Sequence, residues 1–87
     1  MLRANISIPA VIEFVPRLQF LKELDIPNST YYQHADVGLL PPPIKMGERK
    51  AMLPRYELEL VKRAIVAGAS LEDRRALVAE LVALRKA

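Results

Sequence analysis

Three consecutive prolines, at positions 41–43, restrict the fold of this chain more than any other stretch. Proline lacks a backbone N–H and holds φ near about −65°, so a helix cannot continue through it and the chain becomes extended. Gly38 lies just before the prolines, and glycine readily ends a helix in the left-handed conformation. The sequence therefore predicts a helix that ends near Gly38, followed by a stiff extended segment.

Two helices are predicted before this segment. Apolar residues recur at helical spacing over residues 17–24, with Leu18, Leu21 and Leu24 as core candidates together with Phe14 and Phe20. Pro27 ends the first helix. The second helix is expected to start at Asn28, because Asn28, Ser29 and Thr30 can accept hydrogen bonds from the free amides of a new helix.

The second helix has a polar side that suits the recognition of base edges. On a wheel of 100° per residue, Tyr31, Tyr32 and Ala35 fall on one side. The other side carries small polar residues, namely Ser29, Thr30, Gln33 and His34. Such side chains can donate to and accept from bases in a major groove, and the Gln amide matches adenine. The alternative for this segment alone is an ordinary short helix with a solvated face.

The residues after the prolines predict a hairpin with a basic loop. Ile44-Lys45-Met46 and Ala51-Met52-Leu53 flank the four loop residues 47–50, which contain a glycine. Residues 38–56 hold four cations and one carboxylate, a net charge of +3 that equals the net charge of the whole chain. Beside a polar helix, this charge favours contact with phosphates or a minor groove. Protection of a sheet edge is the alternative.

Together these stretches resemble the AlpA family of phage-type regulators. The similarity lies in Ser-Thr-Tyr-Tyr at 29–32, Gly-Leu-Leu-Pro-Pro at 38–42 and Ile-Lys-x-Gly-x-Arg at 44–49, within a region of roughly residues 17–67. AlpA proteins are small winged-helix proteins related to the MerR DNA-binding domain and to excisionases, also called recombination directionality factors. The resemblance implies that the helix from Asn28 lies in the major groove and that the hairpin contacts the backbone or minor groove.

The predicted fold is mainly α with a small β-hairpin, a winged helix-turn-helix of the MerR/AlpA type with an additional C-terminal helix. Its parts are an apolar N-terminal segment (1–16), the winged helix-turn-helix (17–67) and a C-terminal amphipathic helix (68–87). The candidate DNA-binding residues are Asn28, Ser29, Thr30, Tyr31, Tyr32, Gln33, His34, Lys45, Arg49, Lys50 and Arg55. Arg55 is included because, with Tyr56, it could hold a phosphate at the amino end of the next helix.

Two helices are predicted after the hairpin. The first begins after Pro54, buries Leu58, Val61 and Ile65, and ends at Gly68. The second begins with a capping box of Ser70 and Asp73. Its wide apolar stripe consists of Leu77, Val78, Leu81, Val82 and Leu84. At its carboxyl end, Arg85 and Lys86 suit the negative end of the helix dipole.

The apolar ends of the chain leave two interpretations open. Residues 7–15 are predicted to form a short helix with Pro9 in its first turn, and an extended strand that docks on a neighbour is the alternative. The candidates for self-association are Ile6, Ile8, Leu77, Leu81 and Leu84. The alternative is that these side chains cover the core of their own chain.

Composition excludes several classes of protein. A chain of 87 residues forms one small, marginally stable domain, and the lack of cysteine excludes disulfides and thiolate metal sites. No apolar run approaches the roughly 20 residues that span a bilayer, and prolines interrupt the N-terminal run, so a cytoplasmic location is expected. His34 is the only histidine, and the carboxylates and glycines form no catalytic or phosphate-binding pattern. We therefore expect no enzyme, metal, cofactor or small-molecule substrate.

The sequence thus predicts a DNA-binding accessory protein of a mobile element, either an excisionase or an AlpA-like transcriptional regulator. Its partners would be double-stranded DNA, further copies of itself on repeated sites, and an integrase or recombinase. A net charge of +3 is modest, which favours cooperative binding by several subunits. A protein-interaction module, antitoxin-like or adaptor, is the alternative. The DNA prediction requires Thr30 and Gln33 to face outward on the same side as Arg49 and Lys50.

Overall fold

The computed structural model describes residues 6–86, so residues 1–5 of the predicted N-terminal segment and residue 87 lie outside it. The elements, in chain order, are β1 Phe14–Pro16, α1 Arg17–Leu24, α2 Asn28–Asp36, β2 Ile44–Lys45, β3 Ala51–Pro54, α3 Arg55–Val66 and α4 Leu71–Leu84. The predicted mainly helical fold with a small β part is confirmed. Among the described residues, no helix has both the length and the apolar character needed to cross a membrane.

Helices α1 and α2 have the predicted starts, but α2 is not capped as expected. Within residues 6–86 no side chain caps α2, because the N-cap position is occupied by Pro27, which has no side-chain acceptor. The Pro27 carbonyl accepts the first helical hydrogen bond, from the Tyr31 amide at 3.1 Å. The side-chain oxygen of Asn28, the first helical residue, accepts a hydrogen bond from the Arg17 guanidinium. Asp25 joins the two helices in the left-handed conformation, with φ of 54°. Short polar side chains such as Asp tolerate that conformation better than most.

Helix α2 ends where the sequence predicts. Gly38 has a φ of +79°, and the next amide, that of Leu39, donates to the His34 carbonyl at 2.8 Å. Residues 39–41, which open the extended segment, are buried. The stiff segment therefore crosses the core before it leads to the hairpin.

The sheet has three antiparallel strands in the order β1-β3-β2. The predicted hairpin is confirmed: Lys45 pairs with Ala51, and the Met46 amide donates to the Lys50 carbonyl at 2.7 Å. The predicted N-terminal helix is wrong. The alternative of an extended strand holds only for β1, Phe14–Pro16, which pairs with β3 of its own chain. In β1, Val15 is buried opposite Leu53 of β3 while its two neighbours are exposed, the alternation that a strand produces.

One core joins all parts of the described chain. It consists of Val15, Phe20, Leu21, Tyr31, Leu40, Leu53, Leu58, Val61, Ala64, Leu77 and Leu81. Three core predictions are wrong, because Leu18 is 69% exposed, Ile65 is 45% exposed and Phe14 is 42% exposed. In α3 the buried face includes Glu57, Leu58, Val61 and Ala64. Burial of Glu57 turns the helix so that Ile65 lies outside the core.

Helix α4 packs on the core of its own chain. Leu77 and Leu81 are buried, so two of the five self-association candidates are not free to contact another copy, and Ile6 is half-buried against the same core. Ile8 is exposed and Leu84 is half-buried. One half of the predicted capping box is confirmed, since the Ser70 hydroxyl accepts from the Asp73 amide at 3.1 Å, but within residues 6–86 the Asp73 side chain does not bond back to Ser70.

A buried ion pair connects α3 with the end of α4. Glu57 is fully buried, and both of its carboxylate oxygens accept hydrogen bonds from Arg85, at 2.6 and 2.9 Å. Arg85 was predicted only to complement the dipole of α4. It instead neutralises a carboxylate inside the fold, where an unpaired charge is strongly unfavourable.

Candidate functional site

The exposed face of α2 carries Ser29, Tyr32, Gln33 and Asp36. This spacing of i, i+3, i+4 and i+7 is that of one helix face. Ser29 and Gln33 are exposed as predicted, whereas Thr30 and His34 are half-buried at the border of the face. Tyr32, predicted to lie on the inner side, is 42% exposed. The outward face is thus rotated from the predicted one towards Tyr32.

Tyr31 determines this rotation. Its side chain is fully buried and packs edge-on against Phe20, with 5.7 Å between the ring centroids. Its hydroxyl donates to the Pro41 carbonyl at 2.9 Å, and burial raises the pKa of the Tyr31 phenol well above its ordinary value. Tyr31 is therefore a core residue that joins α2 to the proline segment, and we remove it from the candidate DNA contacts.

A depression lies between α2 and the hairpin, and we call it the basic groove. It is lined by Arg17, Tyr32, Lys45, Gly47, Glu48, Arg49, Lys50 and Ala51. Tyr32 comes from the exposed face of α2, and the lysines come from the hairpin. The groove therefore places one exposed residue of α2 on the same surface as the cations of the hairpin loop.

Arg17, which the sequence did not indicate, also belongs to this groove. Its guanidinium carbon lies 5.7 Å from the centre of the Tyr32 ring, and its Nη1 donates to Asn28 Oδ1. A guanidinium over an aromatic face is attracted by the ring's quadrupole. Arg17 and Asn28 are 11 positions apart, with a turn between them, so no periodic pattern in the sequence connects the two side chains.

The groove cations have no carboxylate partner in the part of the chain that the structure describes. None of Arg17, Lys45, Arg49 and Lys50 forms a salt bridge within residues 6–86. Glu48 is the acidic residue of the groove lining, and Asp36 is exposed on α2. Four free cations beside one carboxylate leave this surface with an excess of positive charge that can attract phosphate.

Arg55 does not join the groove, so its prediction as a phosphate ligand needs correction. Its guanidinium lies 2.8 Å from Glu23, 3.5 Å from Glu59 and 3.8 Å from Glu13. Lys62 completes this set, with its ammonium 2.6 Å from Glu23. We call these five residues the Glu23 network. Because three carboxylates surround Arg55, its charge is already neutralised within the fold.

The Glu23 network strongly favours the ionised form of its central carboxylate. Hydrogen bonds from Lys62, Gln19 and Arg55 lower the pKa of Glu23 to about 2, against an ordinary value of 4.5. The same contacts with Glu23 raise the pKa of Arg55 and of Lys62. These charges therefore hold α1 to α3 and contribute to stability.

Helix α4 supports the segment between α2 and the hairpin. Arg75 Nε donates to the Val37 carbonyl at 3.0 Å, and Arg85 Nη2 donates to the Pro42 carbonyl at 2.9 Å. Two carbonyls of residues 37–43 are thus held by side chains that come 38 and 43 residues later in the chain. The sequence indicated Arg85 only as a complement to the dipole of α4 and gave no sign of the contact that Arg75 makes.

Comparison of the chain with protein-family models, with curated proteins and with solved structures found no match.

Proposed function

We propose that this protein is a winged helix-turn-helix that binds double-stranded DNA through α2 and the basic groove. In this proposal α2 enters the major groove and the β2–β3 hairpin is the wing. One observation carries the proposal: the exposed polar face of α2 borders a depression in which four cations have no carboxylate partner among the described residues. A surface that combines polar base-reading groups with free cations is what duplex recognition requires.

The two elements would have different tasks. Ser29 and Gln33 are exposed on α2, and their hydroxyl and amide groups can hydrogen bond to base edges. Lys45, Arg49 and Lys50 are exposed on the hairpin and would contact phosphates or enter the minor groove. Base specificity would therefore depend on α2, and most of the salt-dependent affinity would depend on the wing.

The biological role that we propose is that of an accessory protein of a mobile element, present in the cytoplasm. The resemblance to AlpA proteins and excisionases supports a role in directing an integrase or recombinase, or in transcriptional regulation. The modest net charge of +3 supports binding by several subunits to repeated sites. Of the predicted self-association residues, Ile8 and Leu84 line an apolar depression on which neighbouring copies could meet.

The test compares one variant of each element. After selection of a binding site from random duplexes, Lys50→Ala and Gln33→Ala are titrated against the selected duplex and a scrambled one. We expect Lys50→Ala to weaken binding to both duplexes by the same factor and Gln33→Ala to weaken mainly the selected one, by about 1–3 kcal/mol. Equal losses by both variants on both duplexes would overturn the base-reading role of α2. No binding by the wild type at low salt would overturn the proposal.

A protein-interaction module is the second candidate. It is favoured by the exposed apolar side chains of the N-terminal segment. Val11 is 83% exposed, Ile12 is 43% exposed and Phe14 is 42% exposed. Salt dependence separates the two candidates. DNA binding weakens steeply as salt increases, whereas a module that has no DNA function shows no duplex binding even at low salt.

A further inference from the structure

We propose that Arg17 binds a backbone phosphate of the duplex, and that Asn28 and Tyr32 position its guanidinium for this contact. This inference rests on the proposed function. It adds α1 to the DNA-binding surface, for which the sequence indicated α2, the hairpin and Arg55 at the start of α3.

Most of the N–H donors of the Arg17 guanidinium are not used by the Asn28 side chain. A guanidinium carries five N–H donors and no acceptor, and the Asn28 side chain accepts from only one of its nitrogens. No carboxylate within residues 6–86 lies within salt-bridge distance of Arg17. The remaining donors are therefore free for an anion, and the planar fork of Arg matches the oxygens of a phosphate.

The side chain of Arg17 is held on two sides. Tyr32 provides the face of its ring, and that ring packs edge-on against buried Tyr31 at 5.2 Å between centroids. Asn28, at the first position of α2, provides the hydrogen bond. Fixing a long side chain before binding lowers the conformational entropy that binding would cost.

The position favours phosphate over a base edge. Arg17 lies in the groove between α2 and the hairpin, beside Lys45 and Lys50, and not on the face of α2 that carries Gln33. When a helix lies in a major groove, the strands that border the groove run along its flanks, so a cation beside the helix meets the backbone. The adjacent lysines strengthen the attraction for the same strand.

The test uses the full chain and a control on the same helix. Arg17→Ala and Arg17→Gln remove the charge, whereas Lys22→Ala removes an exposed cation of α1 that lies outside the groove. Affinity for the selected duplex and for a scrambled one is measured over a range of salt concentrations. We expect each Arg17 variant to reduce the magnitude of the negative slope of log affinity against log salt by about 0.9 and to weaken both duplexes by the same factor. Lys22→Ala should leave the slope unchanged.

Asn28→Ala tests the positioning role. It should weaken binding less than Arg17→Ala does, and its effect should disappear when Arg17 is already alanine, because the two residues act as one unit. An unchanged slope in Arg17→Gln, with the wild-type fold retained, would overturn the inference. A loss on the selected duplex alone would also overturn it, since that result means base reading. If the wild type bound no duplex, the proposed function itself would fail.

Discussion

The basic groove and the Glu23 network both contain a cluster of cations, but the fold treats them in opposite ways. In the Glu23 network, Arg55 and Lys62 are paired with carboxylates. These are Glu13, which directly precedes β1, Glu23 in α1 and Glu59 in α3. In the groove, Arg17 and the hairpin cations have no such partner among residues 6–86. The number of cations in a segment therefore does not tell which of them are available to a ligand.

Residues 38–56 illustrate this difference. Their net charge of +3 includes Arg55, yet the fold has already neutralised that residue. Arg17 lies far from this segment in the sequence but reaches the same groove as Lys45 and Lys50. The charge of the candidate interface is therefore set by tertiary contacts. Adding the charges of residues 38–56 therefore counts Arg55, which is not in the groove, and leaves out Arg17, which is.

The largest effect on stability is expected at the buried ion pair between Glu57 and Arg85. Arg85→Leu should lower the free energy of unfolding by about 3–5 kcal/mol, because it leaves the fully buried Glu57 carboxylate without a partner. Urea unfolding followed by circular dichroism measures the change. The matched control is Arg49→Leu in the groove, which should change stability by less than about 0.5 kcal/mol.

A second variant checks the cause of that loss. The double variant Glu57→Leu/Arg85→Leu removes both charges and should recover much of the stability, because the cost lies in the unpaired carboxylate. If the double variant were as unstable as Arg85→Leu, lost packing or the lost bond to the Pro42 carbonyl would account for the effect. The contrast between paired and free cations would then lose its strongest example.

The Glu23 network should make the free energy of unfolding depend on pH in the acid range. The pKa of Glu23 is lowered to about 2 in the folded protein, so its stabilisation is present above the ordinary pKa of 4.5 and is lost as the pH falls towards 2. At neutral pH Glu23→Gln should be less stable than the wild type by about 1 kcal/mol, since the partners are partly exposed. Unfolding of both proteins from pH 7 to pH 2 should show this difference shrinking below pH 4.5. A constant difference would contradict the assigned pKa.

An effect of similar size is expected at the adjacent tyrosines, where the core and the groove meet. Tyr31→Phe should lower the free energy of unfolding by about 1 kcal/mol, because the buried Pro41 carbonyl loses its donor. Tyr32→Phe keeps the ring beneath Arg17 and should leave stability nearly unchanged. Thermal unfolding of the two variants measures the difference. Equal changes would mean that the two hydroxyls lie in similar environments.

The sequence predicts the features that depend on neighbouring residues. Pro27 and the three prolines place the ends of helices, and Gly38 and Gly68 adopt the positive φ that ends α2 and α3. The hairpin follows from a short loop between two β-prone runs. Each of these features needs only a few residues of context, because backbone geometry is set locally.

The features that the sequence did not predict depend on distant partners. Arg55 and Glu23 are 32 residues apart, and Arg85 and Glu57 are 28 residues apart. Strand β1 was predicted as a helix because Pro9 suits a first helical turn, whereas its actual partner, β3, lies almost 40 residues later. The rotation of α2 follows from the packing of Tyr31 on Phe20. None of these contacts can be recognised from the residues that neighbour each partner in the sequence.

The central claim is that the groove cations contact DNA, whereas the paired cations of the Glu23 network do not. The most direct test is the salt dependence of duplex binding in two matched variants. Four free cations predict that log affinity falls with log salt with a slope of about −3 to −4 per subunit. Lys50→Ala should reduce the magnitude of that slope by about 1, and Arg55→Gln, which changes a neutralised cation, should leave it unchanged. A flat salt response in the wild type, or equal reductions in the two variants, would contradict the account.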